Sequence, residues 1–390
     1  MWKKKRAGLC ANPNNSLGVV PQTRAVDLSK GFEMTSRPAP FKLTIDSAAD
    51  YARQLWSCID NLDTDSWFEE YFCVVGRCLK LRSPSRFYLD LCLENLVLEP
   101  FNESAKAEAT EVIILDRRSV PSLLSARWDT EVFSTKAFVE AMEQEKLRGI
   151  YDPDHDLWQF YDHEAKRGLY ILRSEGSVPP WEASFPLRNF IHWSCQETSQ
   201  GLLHAGTAGV DGDGVLIVGP GGSGKSGTTL AAILSGMDSV GDDYVLASLQ
   251  GESVEVRPVI AKMKQDAKGL ARLGLNPDEA LFEGPNWQNK YSFDFAALGR
   301  GMRAPHLKIK AALLPRISHG DKTSFTKTSG MQAMLKLSPS NLYQLTGDWQ
   351  RTMQFSGSIC RNLPAFHMDL GAETDEIADS LRDLIKGQLQ

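Results

Sequence analysis

Residues Gly219-Pro220-Gly221-Gly222-Ser223-Gly224-Lys225-Ser226, followed by Gly227, form the stretch of this chain best suited to chemistry. A polyphosphate needs many hydrogen-bond donors in a small concave space. Closely spaced glycines let main-chain N–H groups turn inward without Cβ clashes. In this pattern Lys225 reaches the β- and γ-phosphates and the Ser226 hydroxyl ligates Mg²⁺. Val215 to Val218 reads as a buried strand before the loop, and Lys225 to Leu234 as a helix after it. That order sets the anion on a helix N-terminus, where unpaired N–H groups and the dipole favour negative charge.

The second constellation is Asp242-Asp243, a short way beyond that helix. Ser239-Val240 is expected to be a short strand, a parallel neighbour of the loop strand, carrying both carboxylates at its end beside the phosphates. One aspartate suits Mg²⁺ and the other suits the proton of an attacking hydroxyl. His204 lies upstream, on a strand entering a hairpin turned at Asp211-Gly212-Asp213-Gly214. Taken alone, that histidine reads as structural.

The elements that must position these residues point to two folded regions behind a polar segment, residues 1–40. Residues 41–186 read as a smaller α+β domain and residues 187–390 as an α/β domain. Helices are expected at Asp46–Leu62, Thr135–Lys146, 187–199 and Glu373–Ile385, and strands at Phe72–Val75, Arg86–Cys92 and Val112–Leu115. Leu157–Tyr161 and Gly168–Leu172 suggest a hairpin. Pro179-Pro180 and Pro186 suggest a hinge. The 390 residues carry 42% apolar side chains, 24% charged ones and a net charge of −6, a balance that disfavours nucleic acid as a partner. No 18-residue apolar run is present, so no membrane span is expected. The seven cysteines are scattered and odd in number, which suggests neither a zinc site nor a disulfide framework, and points to a reducing cytoplasm.

Over residues 200–247, the histidine, the glycine-rich loop and the acidic pair together resemble the HPr kinase/phosphorylase superfamily, which shares its core with phosphoenolpyruvate carboxykinase. The resemblance implies a C-terminal P-loop kinase domain of that type, preceded by the smaller α+β domain, with ATP and Mg²⁺ as cofactors. It implies that Asp242 is the general base, that Asp243 and Ser226 hold the metal, and that His204 supports the acidic pair. Weaker matches around Asn289-Lys290 and Leu314-Pro315-Arg316 suggest Lys290 and Arg316 as phosphate or substrate contacts. The chain departs from the family at Gly227, where an acidic residue is usual, and lacks the family's C-terminal docking segment. The implied acceptor is a hydroxyl, either a serine of a peptide or protein or a small hydroxy-metabolite. A nucleotide-binding regulator without transfer, and a homo-oligomer, remain open.

Overall fold

The computed structural model describes residues 41–389 apart from 121, 130–132, 196–197, 299–302 and 348. The expected polar tail, residues 1–40, lies outside the described residues. The architecture is mixed α/β, with several mixed sheets.

The first half contains β1 (Phe41–Leu43), α1 (Ala48–Asp60), β2 (Phe68–Val74), β3 (Arg77–Ser83), α2 (Arg86–Asn95), β4 (Thr110–Asp116), β5 (Ala126–Trp128), α3 (Thr135–Gln144), β6 (Leu147–Asp152), β7 (Leu157–Asp162), β8 (Arg167–Leu172), α4 (Pro180–Ser184) and α5 (Arg188–Cys195). Six strands form a sheet in the order β2-β3-β4-β8-β7-β6. Its centre is parallel, with β4 between β3 and β8, while its outer pairs are antiparallel hairpins. Side chains alternate across the pleat. Ile113 and Leu115 therefore face α1 and α3, against Tyr51, Leu55, Phe138 and Met142. Val112 and Ile114 face the other way, toward Tyr88, Leu89, Phe190 and Trp193 of α2 and α5.

That second face is shared by the two halves. Its apolar cluster continues into Leu202, Tyr244, Leu246, Val259, Ile260 and Leu345. The proline-rich stretch expected as a hinge is packed instead: Pro180 opens α4, and Glu182, Phe185 and Leu187 are buried.

The second half contains β9 (Gln200–Leu203), β10 (Gly206–Val210), β11 (Asp213–Ile217), α6 (Lys225–Leu234), β12 (Val245–Gln250), β13 (Ser253–Pro258), β14 (Lys262–Asp266), α7 (Ala267–Leu273), β15 (Lys290–Asp294), β16 (Leu307–Gly320), β17 (Ser324–Thr328), α8 (Gly330–Gln344), α9 (Trp349–Arg361), β18 (Ala365–Gly371) and α10 (Thr374–Asp383). Its main sheet runs β10-β11-β16-β13-β12-β9, with β18 on β16 and β17 on β18. The terminal strands of that order, β9 and β10, are consecutive in the chain, so the sheet curls until its two edges meet at His204-Ala205. Leu216 and Val218 pack toward α8 and α9, whereas Val215 and Ile217 pack toward α6 and α10.

Four local expectations are corrected. Arg86–Cys92 is helical: Tyr88, Leu89, Cys92 and Asn95 are buried along one face, and Arg86 pairs with Asp90 one turn on, at 2.7 Å. Ser239-Val240 is not a strand beside β11. The hairpin partner β10 fills one edge of β11 and β16 runs parallel on the other. The chain returning from α6 therefore docks on the free edge of β10, through Gly209 N–H to Asp238 O at 2.7 Å and Asp238 N–H to Gly209 O at 2.9 Å. Cys73 and Cys78 lie opposite each other on β2 and β3 and are joined in a disulfide, a pairing the sequence reading missed. The expected helix at 187–199 ends at Cys195 in the described residues.

The shared face makes a prediction. A Cβ added at Gly168 of β8 would lie 2.7 Å from the buried Phe190 ring and 3.2 Å from Val112. Gly168→Ala should cost about 1–3 kcal/mol through overpacking. Chemical denaturation monitored separately by far-UV and near-UV signals should show one transition shifted as a whole. Unchanged stability would mean that this face is loosely packed.

Candidate active site

The glycine-rich loop leaves β11 with Val218, whose N–H donates to Leu313 O of β16 at 2.9 Å. Gly222 (φ 78°) and Gly224 (φ 105°) are left-handed, a conformation that glycine adopts at little cost. At Gly224 the space is also closed, because a Cβ would come within 2.6 Å of Leu370. The loop then runs straight into α6, with Gly224 as its N-cap. The first-turn N–H groups of α6 have no intrahelical acceptor. Gly224, Lys225, Ser226, Gly227 and Thr228 line a cavity of about 480 Å³, a volume common for small-molecule sites.

Positive charge gathers around that cavity: Lys225, Lys268, Arg272 and Lys290 all line it. Lys225 is buried, and its ammonium donates to Gly219 O at 2.7 Å and Pro220 O at 3.1 Å. Burial pushes its pKa down, Lys290 adds to that, and Asp242 and Asp243 oppose it. A cluster of cations beside free backbone donors is an electrostatic seat for a polyanion.

The acidic pair is set by a buried hydroxyl network. Ser239 Oγ donates to Thr207 O at 3.0 Å and accepts from Gly241 N–H at 3.0 Å. Thr207 Oγ1 accepts from Val240 N–H at 3.1 Å and donates to Gly241 O at 3.0 Å. These bonds tie the acidic loop to β10. Asp243 sits in the left-handed region (φ 78°), which aspartate tolerates better than most residues.

From there the two carboxylates have different fates. Asp243 Oδ1 lies 3.0 Å from His204 Nε2, and Asp243 Oδ2 accepts from the Lys264 ammonium at 3.0 Å. Burial would raise the Asp243 carboxyl, but Lys264 and His204 outweigh it and hold it well below the usual carboxylate range. Asp242 is only 4% exposed, and its Oδ1 has no hydrogen-bond partner. The hydroxyls of Thr228 and Thr229 beside it are likewise unpartnered. A Cβ at Gly206 would lie 2.3 Å from Thr229 Oγ1 and 3.1 Å from Asp242 Oδ1, so the glycine leaves room for this polar group.

The structure therefore brings His204, Gly221, Gly222, Gly224, Lys225, Ser226, Gly227, Asp242, Asp243 and Lys290 to one cavity. It does not bring Arg316 there. Arg316 lies with Gly219, Ser223 and His367 in a separate pocket of about 230 Å³. There it holds Asp369 in a bidentate pair, both contacts at 2.8 Å. Lys264, Lys268 and Arg272 escaped the sequence reading. Their one visible signal is the basic alternation Lys262, Lys264 leading into Lys268, which by itself reads as a solvated strand. No family model matches the chain, and no curated protein matches it.

The Asp243 knot carries a signed pH dependence. With a folded-state pKa below the unfolded value of about 4, the charged contacts stabilise the fold above that pH. Their contribution fades as the pH falls through the folded value. Lys264→Met should lower stability at neutral pH by about 1–3 kcal/mol, and the deficit should shrink as the pH is taken below about 4. Urea denaturation across pH measures this. A deficit independent of pH would assign the loss to packing instead.

Proposed function

We propose that the chain is a phosphotransferase that uses ATP and Mg²⁺ to phosphorylate a hydroxyl group, the acceptor being a peptide or protein serine or a small hydroxy-metabolite. The observation that carries this reading is Asp242. A buried carboxylate oxygen without a hydrogen-bond partner is costly, and proteins keep such groups mainly where they act. This one shares its cavity with a helix N-terminus and the Lys225 ammonium. The resemblance of the His204, loop and Asp242-Asp243 pattern to the HPr kinase/phosphorylase superfamily supports the same reading, including a P-loop kinase core in the second half.

Phosphoryl transfer asks the protein for charge neutralisation and in-line placement rather than covalent chemistry. The N–H groups of α6 and the side chains of Lys225 and Lys290 neutralise the phosphates. Lys225 must leave the carbonyls of Gly219 and Pro220 to do so, a rotation about its own side chain. Asp242, through its unpartnered Oδ1, orients the acceptor hydroxyl and takes its proton. Asp243, held anionic by Lys264 and His204, is too weak a base for that task and serves as a fixed negative charge.

The residues present also fit a magnesium ion. Ser226 and Asp243 offer hard oxygen ligands, and the unpartnered Asp242 Oδ1 lines the same cavity. Among the described residues no group of three or more His, Cys, Asp or Glu side chains could hold a metal alone. Mg²⁺ suits such a site because it keeps water and takes phosphate oxygens as ligands. When bound, it would neutralise charge on the phosphates.

Two substitutions test the reading. Asp242→Asn should reduce turnover of [γ-³²P]ATP, whether to an acceptor or to water, by about 10²–10⁴-fold. Its affinity for MgATP, measured by calorimetry, should stay near wild type. Lys225→Met should weaken nucleotide binding itself. Full turnover by Asp242→Asn would remove the base, and absence of MgATP binding by the wild type would remove the whole proposal.

A further inference from the structure

A second cavity, of about 440 Å³, adjoins the first, and Asp243, Gln288 and Gln344 line both. Its walls come from both halves of the chain. Trp181, Phe185 and Arg188 belong to the first half and its α4–α5 corner; Tyr244, Trp287 and Tyr343 belong to the second. The wall is ordered from behind: Phe185 and Tyr244 pack with ring centroids 5.0 Å apart, and His155 meets Trp181 edge-on at 4.7 Å. Two rings lining it are open to solvent among the described residues: Trp287 is 44% exposed and Tyr343 is 89% exposed.

The charges in this cavity are already balanced. Arg188 donates to Glu182 at 3.0 Å, and Lys264 is bound to Asp243 at 3.0 Å. Lys264 also stands 5.8 Å from the Trp287 ring centre. The first cavity, with its cluster of lysines and an arginine, suits a polyanion. The second offers aromatic faces and side-chain amides but no spare charge, so it suits a neutral, flat ring carrying hydroxyls. Its volume fits a small molecule, whereas a protein substrate would need an extended surface.

We infer that the second cavity binds a small, uncharged alcohol bearing a planar ring, with the ring against the tryptophan and tyrosine wall and the hydroxyl toward Asp243. This rests on the phosphotransferase reading only for its role: there, the bound alcohol is the acceptor. Its oxygen attacks the terminal phosphorus of ATP and forms the new P–O bond. The bond to the bridging oxygen breaks, and ADP leaves with that electron pair. The hydroxyl proton goes to Asp242, and a phosphate monoester is released. The first half of the chain, whose role the sequence left open, then supplies one wall of the acceptor site.

Calorimetry on the full chain, with the first cavity filled by a non-hydrolysable ATP analogue and Mg²⁺, tests this with uridine and 4-hydroxybenzyl alcohol as probes. Glycerol and a serine-containing peptide serve as ringless controls. At least one ring probe should bind more tightly than glycerol. Trp287→Ala and Trp181→Ala should each weaken it about tenfold or more, while affinity for the analogue changes less than about twofold. Binding of neither ring probe, or binding indifferent to both tryptophans, overturns the inference. Phosphate transfer to the peptide without ring binding also overturns it and leaves the phosphotransferase reading intact. Tryptophan-dependent ring binding without any ATP turnover does the reverse: the pocket stands and the phosphotransferase reading falls.

Discussion

The arrangement turns on the contact that holds Asp243 between His204 and Lys264. Each partner comes from a different part of the second half. His204 occupies the corner where the two edges of the curled sheet meet, and Lys264 projects from β14. One carboxylate thereby ties the sheet corner, the acidic loop and the β14–α7 arm together. Charge-assisted contacts of this kind are stronger and more directional than neutral hydrogen bonds. Their consequence for chemistry is a division of labour. Asp243 takes His204 and Lys264, whereas Asp242 Oδ1 has no hydrogen-bond partner, so two adjacent identical side chains meet different surroundings. The environment, not the residue type, decides which carboxylate is inert and which is available.

That division holds only if the acidic loop is rigid, and its rigidity comes from two sources. The Thr207–Ser239 network fixes its backbone against β10. Tyr244, the next residue, is buried in the apolar cluster that runs into the first half and meets Phe185 there. The first half is therefore mechanically continuous with the acidic pair. A change in its packing would reach the carboxylates through Tyr244 without touching the glycine-rich loop.

The sequence was most legible where structure is local. The loop Gly219 to Ser226, the strand before it and the helix after it are contiguous, and their order alone places a helix N-terminus at the cavity. The same holds for the β7–β8 hairpin and for the turn between β10 and β11. His204, however, lies before the entering strand rather than on it, because Gln200–Leu203 is the separate strand β9, paired with β12. Legibility ended where neighbours are distant in the chain. Nothing near Asp242 says that β16 takes the parallel place beside β11. Nothing near Lys264 says that it will meet Asp243. Arg86–Cys92 was misread because Phe87 and Tyr88 favour strands by type, while the burial of Tyr88, Leu89 and Cys92 follows the helical period. The Cys73–Cys78 pair was missed because its turn, Val75-Gly76, carries positive φ at both residues in a sequence that does not advertise it.

The two cavities together suggest how a site of this kind separates its ligands. Electrostatic attraction is long-ranged and favours charged ligands over neutral ones, whereas contact with an aromatic wall is short-ranged and favours shape. Cations concentrated on the loop side draw a polyanion to the helix N-terminus. The paired charges on the aromatic side give it no reason to go further. The aromatic side chains Trp181, Phe185, Tyr244, Trp287 and Tyr343 line the second cavity. Asp243 stands on the boundary between the two cavities, held there by His204 and Lys264. Asp242, with its unpartnered Oδ1, lines the first cavity and not the second.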